Sequence, residues 1–94
     1  MLAAVTLLLI VLFFRRDRHY SVAERLVIIR RAMENGNDIE MTYFTYAIRR
    51  FTRHQISPQK IRREEYLDAF DHYWEKIETF KISRIKELRE ISRS

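Results

Sequence analysis

The chain has no cysteine, one glycine, one proline and three histidines among its 94 residues. The lack of cysteine excludes disulfides, thiolate nucleophiles and cysteine-ligated zinc sites. A glycine-rich phosphate loop is likewise missing. The histidines, His19, His54 and His72, are scattered and lack metal-ligand spacing, and the acids of the chain lack a paired setting. The sequence therefore predicts a protein that is not an enzyme and that has no metal or cofactor.

Acidic residues are outnumbered, and the net charge of +5 makes anionic partners plausible: nucleic acid, nucleotides or anionic lipid. Six basic residues in the middle of the chain have no acid between them: Arg49, Arg50, Arg53, Lys60, Arg62 and Arg63. Residues 64–78 then contain six acids and a single lysine. This pattern predicts a domain with one basic side, the alternative being a basic face that is merely solvated.

One long apolar run is present, and it begins at Leu2 and ends at Phe14. As a helix it would cover roughly 20 Å of the about 30 Å hydrocarbon core of a bilayer. The arginines that follow, at positions 15, 16 and 18, can reach the headgroups and lengthen the span. We predict a single-pass membrane anchor over residues 1–18 and a cytoplasmic domain over residues 19–94. The alternatives are a buried helix of a soluble domain and a removed signal peptide.

A helix is predicted after the anchor. Ser21 and Glu24 have the spacing of a capping box, in which each residue satisfies a backbone N–H group of the other. Apolar residues follow at helical spacing, namely Val22, Leu26, Ile29 and Met33. Gly36 offers a left-handed stop. These signals predict a helix that begins at Val22 and ends at Glu34.

The pattern then changes to alternation, which favours strands. Residues 39–44 and 51–56 form two extended runs rich in Thr, Tyr, Phe and Ile, with a hairpin turn near residues 47–50. Pro58 should end the second strand or place it at an edge. Residues 64–77 are ambiguous, because an aromatic helical face competes with a short buried strand that begins at Tyr66 and ends at Phe70. Ile85, Leu88 and Ile91 have helical spacing and predict a short C-terminal helix.

The order of these residues resembles the WYL domain, a family found in bacterial transcriptional regulators and helicase-associated proteins. The resemblance covers residues 26–88. An alanine near the helix end and a strand ending in tyrosine occur at residues 32–36 and 39–43, and an arginine leads to a proline at residues 53–58. The name-giving segment corresponds to residues 65–70, and the closing arginine-rich segment to residues 78–85.

The resemblance implies an α+β fold in which a helix packs on a small Sm-like antiparallel β-barrel. Residues 66–70 and 78–82 would then both be strands, with residues 71–76 as their hairpin. Tyr73 and Trp74 would lie at its tip, where they contact a membrane interface or a partner, or else pack over the open end of the barrel.

The implied function is ligand sensing: a basic groove accepts nucleic acid or a nucleotide-like anion and regulates a partner. The matching ligand-binding positions are Tyr43, Arg53, Tyr66 and Arg84. Arginine binds phosphate oxygens in pairs and tyrosine stacks on bases. The chain departs from the family in three places, because Glu78 replaces an arginine, Ser83 an aspartate and Glu65 a frequent tryptophan. The alternative function is a non-catalytic accessory that docks on anionic lipid or a partner protein.

Overall fold

The computed structural model describes residues 20–93. The element order is α1 (Val22–Asn35), β1 (Asp38–Thr45), β2 (Arg50–Arg62), β3 (Tyr66–Asp71), β4 (Lys76–Lys81), a 3-10 turn (Ile82–Arg84) and β5 (Ile85–Ile91). The predicted anchor, residues 1–18, lies outside the described residues. Within residues 20–93, the helices are too short or too polar to cross a membrane.

Helix α1 begins and ends as its capping residues predict. The Ser21 hydroxyl accepts a hydrogen bond from the Glu24 N–H at 3.2 Å. Gly36 has a φ of 66°, and the Asn37 N–H donates to the Ala32 carbonyl at 2.9 Å, which closes the helix end. The sequence-based helix is therefore confirmed to within one residue.

The five strands form one antiparallel sheet in the order β4-β3-β2-β1-β5. The edge strands β4 and β5 do not pair, so the expected barrel is wrong in its closure: among the described residues the sheet is open. It is strongly curled, since the ring centroids of Tyr43 in β1 and Phe80 in β4 are 5.1 Å apart. A flat sheet would separate these strands by roughly 14 Å. The Lys81 N–H of β4 donates to the Tyr43 hydroxyl of β1 at 2.9 Å. This side-chain hydrogen bond joins the curled strands where a closed barrel would have backbone hydrogen bonds.

Strands β3 and β4 confirm the hairpin that the family resemblance implies, and the helical interpretation of residues 64–77 is wrong. Leu67 pairs with Phe80, and both side chains are buried on the concave face. Pairing and burial outweigh the local helical periodicity.

The expected C-terminal helix is also wrong, because this segment is β5. Thr42 pairs with Glu87 but Tyr43 pairs with Ile85, so Lys86 is an extra residue in a β-bulge. The bulge shifts the alternation and lets both Ile85 and Leu88 face the core. Helix-like spacing in the sequence therefore arises from a bulged strand.

Strand β2 does not end at Pro58 but continues to Arg62. Its register with β3 shifts between Pro58 and Lys60, so Gln59 is the extra residue of a second bulge. A bulge is one of the few places in a sheet where a residue without an N–H group is tolerated.

The core lies between α1 and the concave face of the sheet. It consists of Leu26, Ile29, Ala32, Ile39, Met41, Tyr43, Ile56, Leu67, Ala69, Phe80, Ile82, Ile85 and Leu88. Among the described residues, the core is drawn from positions 26 to 88.

Candidate functional site

Helix α1 leaves one end of the concave face open. This end forms a groove of about 590 Å³, here termed the concave groove. Its lining includes Tyr43, His54, Tyr73, Trp74, Glu78 and Phe80. The size is that of a small-molecule site.

A chain of hydrogen-bonded side chains forms the floor of the concave groove. His54 Nδ1 donates to the fully buried Asp71 carboxylate at 2.7 Å. His54 Nε2 lies 2.7 Å from the Thr52 hydroxyl, which lies 2.9 Å from the Thr45 hydroxyl. His54 is thus a buried residue of the groove whose position is fixed at both ring nitrogens.

Two exposed aromatic residues form the rim of the concave groove. Tyr73 and Trp74 are 76% and 60% exposed, and their rings meet edge to face at 5.1 Å. Asp71 Oδ1 accepts hydrogen bonds from their backbone N–H groups at 2.9 and 3.4 Å. The same carboxylate therefore holds the groove floor and the hairpin that carries its rim. The predicted exposure of this tip is confirmed.

A second groove, of about 450 Å³, lies beside the β1–β2 hairpin. We term it the aromatic–cation patch, and its main residues are Arg25, Phe44, Tyr46, Phe51, Arg84 and Lys86. The Arg84 guanidinium lies 4.2 Å from the Tyr46 ring centroid, and the Lys86 ammonium lies 4.9 Å from that of Phe51. Both distances are typical of cation–π contacts.

Strand alternation and a bulge build this patch. Phe44 and Phe51 are cross-strand partners with ring centroids 5.2 Å apart. They lie on the sheet face opposite Tyr43, because neighbouring strand residues point to opposite faces. The bulge at Lys86 directs that side chain to Phe51.

Arg25 of α1 completes the aromatic–cation patch. Its Nε atom is buried and has no hydrogen-bond partner. Burial lowers the pKa of the guanidinium, against the opposing effect of Glu24. Arginine nonetheless stays charged at neutral pH, so the patch contains three cationic side chains.

The four residues predicted to bind ligand do not form one cluster. Tyr43 and Arg53 both line the concave groove, whereas Arg84 belongs to the aromatic–cation patch. Tyr66 lies on β3, where the Arg62 guanidinium is 5.7 Å from its ring centroid. Arg53 is bound to Glu40 at 2.7 Å, and the pKa of that carboxyl is lowered by its hydrogen bonds to Arg53 and Arg89.

The long basic run is also divided. It is spread along β2, which spans roughly 40 Å over 13 residues. Arg62 makes two hydrogen bonds to Asp68 at 2.8 and 2.9 Å, which raise the pKa of Arg62 and lower that of Asp68. Pairs of this kind leave part of the run neutralised.

A polar cluster occupies the convex face around the buried Asp38. Its carboxylate accepts hydrogen bonds from Ser57 at 2.7 Å and Arg93 at 2.8 Å. Desolvation opposes ionisation there, but these hydrogen bonds outweigh it and lower the pKa of Asp38. His72 lies 2.7 Å from the Ser57 hydroxyl and 3.3 Å from the Asp38 carboxylate.

Several residues of these sites were not found by sequence reasoning. His54 and Asp71 are 17 positions apart, and only the β2–β3 register brings them together. For His54 a usable signal is its position two residues before the inward-facing Ile56, which places both side chains on the same face of β2. Tyr46, Phe51 and Lys86 gave no signal because a turn and a bulge decide their positions.

Comparison with known proteins identifies the fold. The profile of the WYL domain matches residues 24–90. A solved structure, Proteasome accessory factor B/C (PafBC) of Arthrobacter aurescens, aligns with a TM-score of 0.68 at 20% identity, over 78% of this chain and 12% of that one. No curated protein sequence matches. Because the profile match spans well over half of the sequence, the chain belongs to the WYL domain family.

Proposed function

We propose that this chain is a non-catalytic sensing domain that binds single-stranded nucleic acid or a nucleotide-like anion at the aromatic–cation patch and regulates a partner. One observation carries the proposal: Arg84 and Lys86 lie against aromatic rings at 4.2 and 4.9 Å and have no ion pair within the described residues. Membership of a family of ligand-sensing regulatory domains supports it.

The chemistry of the patch suits such a ligand. Bases stack on exposed aromatic rings at roughly 1–3 kcal/mol each, and adjacent cations contact the phosphates. Tyr46 and Phe51 are both at least half exposed, so ring surface stays accessible beside the cations that lie over them. Arg84 is the residue we assign to phosphate, and Ser83 beside it adds a hydroxyl.

Two of the other predicted ligand residues are less available for contact with a ligand. Arg53 is engaged by Glu40, and Tyr43 is buried with its hydroxyl bound to the Lys81 N–H. We therefore expect Tyr43 to act through the shape of the sheet and Arg53 to contribute less than Arg84. Tyr66 remains a predicted contact on β3.

The Asp71–His54–Thr52 chain has the hydrogen-bond order of a hydrolase triad. Here, however, the single Thr52 hydroxyl proton is directed to the Tyr43 carbonyl at 3.3 Å, and the hydroxyl oxygen also lies 2.9 Å from that of Thr45. These contacts hold the threonine within the wall of the groove. We assign this series of hydrogen-bonded side chains a structural role, which is to fix β2 against β3.

We also propose that residues 2–14 anchor the domain in the membrane with the domain on the cytoplasmic side. The apolar run and the arginines that follow it support this part of the proposal. Anchoring would keep the sensing domain near a membrane-bound partner.

Anionic lipid is a second candidate ligand, and its proposed contact is the tip of the β1–β2 hairpin beside the patch. The β1–β2 hairpin exposes Tyr46, Ile48 and Phe51 next to Arg49 and Arg50. Aromatic and basic residues together are typical of segments that dock on anionic bilayers. This observation favours the accessory function, in which the hairpin contacts the inner leaflet.

Binding of labelled oligothymidylate to residues 20–94 tests the proposal, with fluorescence anisotropy measured over a range of salt concentrations. We expect affinity to fall steeply with salt and roughly tenfold on Arg84→Ala, since one stacked cationic contact is lost. Arg53→Ala should have a smaller effect. Absence of binding at low salt would contradict the proposal.

The lipid alternative is tested by flotation of residues 20–94 with phosphatidylserine-containing and with pure phosphatidylcholine vesicles. Binding only to anionic vesicles, lost on Ile48→Ser and unaffected by oligothymidylate, would favour the accessory function. Competition between vesicles and oligonucleotide would instead show that both use the aromatic–cation patch.

A further inference from the structure

The concave groove differs from the aromatic–cation patch in charge. We propose that it is a separate binding site for a small organic cation, an ammonium or guanidinium group carried on an aromatic or alkyl body. The proposal concerns another surface and another ligand class, so it goes beyond the function proposed above.

Glu78 supplies the negative charge of the groove. Its cross-strand partner Ala69 is fully buried on the concave face, and strand alternation places Glu78 on that face with Phe80. The Glu78 side chain is 27% exposed, and its nearest cation is the Lys76 ammonium at 3.8 Å. Lys76 is itself 64% exposed, so this long contact is solvated and weak.

The other cation at the groove does not neutralise Glu78. Arg53 contributes to the lining, but its guanidinium binds Glu40 at 2.7 Å. Glu40 alternates with the inward-facing Ile39 and Met41 and thus lies on the convex face. The Arg53 charge is therefore directed away from the groove, and Glu78 leaves the groove with a net negative character.

Aromatic residues line the same groove as this carboxylate. Trp74 and Tyr73 stand exposed at the rim, and Tyr43 and Phe80 lie buried at the base. Aromatic faces attract organic cations, with Trp the strongest, by ≈ 0.5–1 kcal/mol at exposed sites and ≈ 2 kcal/mol or more when desolvated. A ring face and a carboxylate together recognise a cation and reject an anion of the same shape.

The polar floor of the groove fits the same ligand class. Thr45 and Thr52 present hydroxyl oxygens 2.9 Å apart, held by His54 and Asp71. A hydroxyl oxygen can accept a hydrogen bond from an ammonium or guanidinium group. The floor and the carboxylate thus supply hydrogen-bond acceptors, and the rim supplies aromatic rings, within one groove of about 590 Å³.

The chain carries its own reporter, because Trp74 is its single tryptophan. We would titrate the full chain in a neutral detergent with 2-phenylethylamine, 2-phenylethanol and phenylacetate and follow tryptophan emission. These probes share one body and differ in charge. We expect the amine to bind roughly tenfold more tightly than the alcohol, as one ion contact predicts, and phenylacetate to bind most weakly.

Variants identify the residue responsible. Glu78→Gln keeps the shape and should weaken amine binding roughly tenfold while leaving alcohol binding unchanged. Glu87→Gln is the matched control, since Glu87 lies on β5 outside the concave groove, and it should change nothing. Lys76→Ala should strengthen amine binding slightly by removing a competing cation.

Equal affinity for the amine and the alcohol would overturn the proposal, as would equal amine binding by Glu78→Gln and the unaltered chain. Oligothymidylate binding measured on the same samples separates the two sites. Amine binding without oligothymidylate binding would refute only the proposed nucleic-acid function. Oligothymidylate binding without selective amine binding would refute only the cation site.

Discussion

The concave groove and the aromatic–cation patch flank the same β1–β2 hairpin but have opposite chemistry. Thr45 and Thr52 face the concave groove, whereas Phe44 and Phe51, their neighbours in sequence, face the patch. The groove combines aromatic rings with the carboxylate of Glu78, and the patch combines them with three cations. A strand repeat of two residues therefore lets one hairpin supply two surfaces of opposite charge.

The two surfaces also differ in how firmly they are built. The groove floor rests on the buried Asp71–His54 pair, while Arg84 and Lys86 of the patch lie against aromatic rings and have no ion pair within the described residues. A buried polar group that loses its hydrogen-bond partner costs much free energy, and the loss of an exposed cation–π contact costs little. The residues of the groove floor thus contribute to the stability of the domain, and the exposed cations of the patch contribute little to it.

The largest effect should come from Asp71→Ala. The change leaves His54 buried without its acceptor and removes two hydrogen bonds to the β3–β4 hairpin. We expect a loss of roughly 3–5 kcal/mol in the free energy of unfolding, measured by urea denaturation. Arg84→Ala should cost less than ~1 kcal/mol. Similar losses for both variants would remove the distinction between the two surfaces.

A charge reversal in the groove should rank second. Glu78→Arg places a cation between Trp74 and the hydroxyl floor and makes the groove resemble the patch. The ratio of 2-phenylethylamine to phenylacetate affinity should fall roughly hundredfold, about tenfold for the lost attraction and tenfold for the new repulsion. Oligothymidylate binding at the patch should persist. Unchanged selectivity, measured by Trp74 emission, would show that Glu78 does not set the charge of the groove.

Acid should weaken the sheet that both surfaces share. The pKa values of Glu40, Asp68 and Glu90 are lowered mainly by side-chain hydrogen bonds, and that of Asp38 is lowered despite its burial. A carboxyl whose pKa is lower in the folded state contributes stability above its unfolded pKa, about 4, and loses it as pH falls.

The contribution of these carboxyls should therefore lower the urea midpoint as pH drops below about 4 and leave it level from there to neutral pH. Glu40→Gln should flatten part of the decline. A midpoint that is flat down to pH 3 would contradict the assignment of these ion pairs.

The smallest expected effect concerns the hairpin that carries the groove rim. Glu75 has a φ of 55°, a left-handed conformation that favours glycine. Glu75→Gly should raise the free energy of unfolding by about 0.5 kcal/mol, because relief of strain exceeds the added chain entropy. A fall in thermal denaturation temperature would instead show that the Glu75 side chain stabilises the tip.

Local signals in the sequence were sufficient for helix α1 and for the existence of the first hairpin. Ser21, Glu24 and Gly36 act through neighbouring backbone groups, so their effect can be read without knowing the rest of the fold. The β3–β4 hairpin needed the family resemblance, because the helical periodicity of residues 64–77 is outweighed by pairing with β2.

The remaining errors share one physical cause, which is that turns and bulges here use ordinary residues. Arg49, Arg63, Glu64 and Glu75 adopt positive φ without glycine. The bulges at Gln59 and Lys86 carry β2 past a proline and give β5 a helix-like spacing. The binding surfaces depend on these features, so the predicted ligand residues were assigned to one site although the fold distributes them over several.

The central claim is that nucleic acid binds at the aromatic–cation patch, and backbone amide chemical shifts test it most directly. Oligothymidylate should be added to ¹⁵N-labelled residues 20–94, with assigned signals. The account predicts shifts concentrated at Phe44, Tyr46, Phe51 and residues 83–86, with little change at Lys60 and Arg63. Shifts centred on Lys60 and Arg63, or on Glu78 in the concave groove, would contradict it.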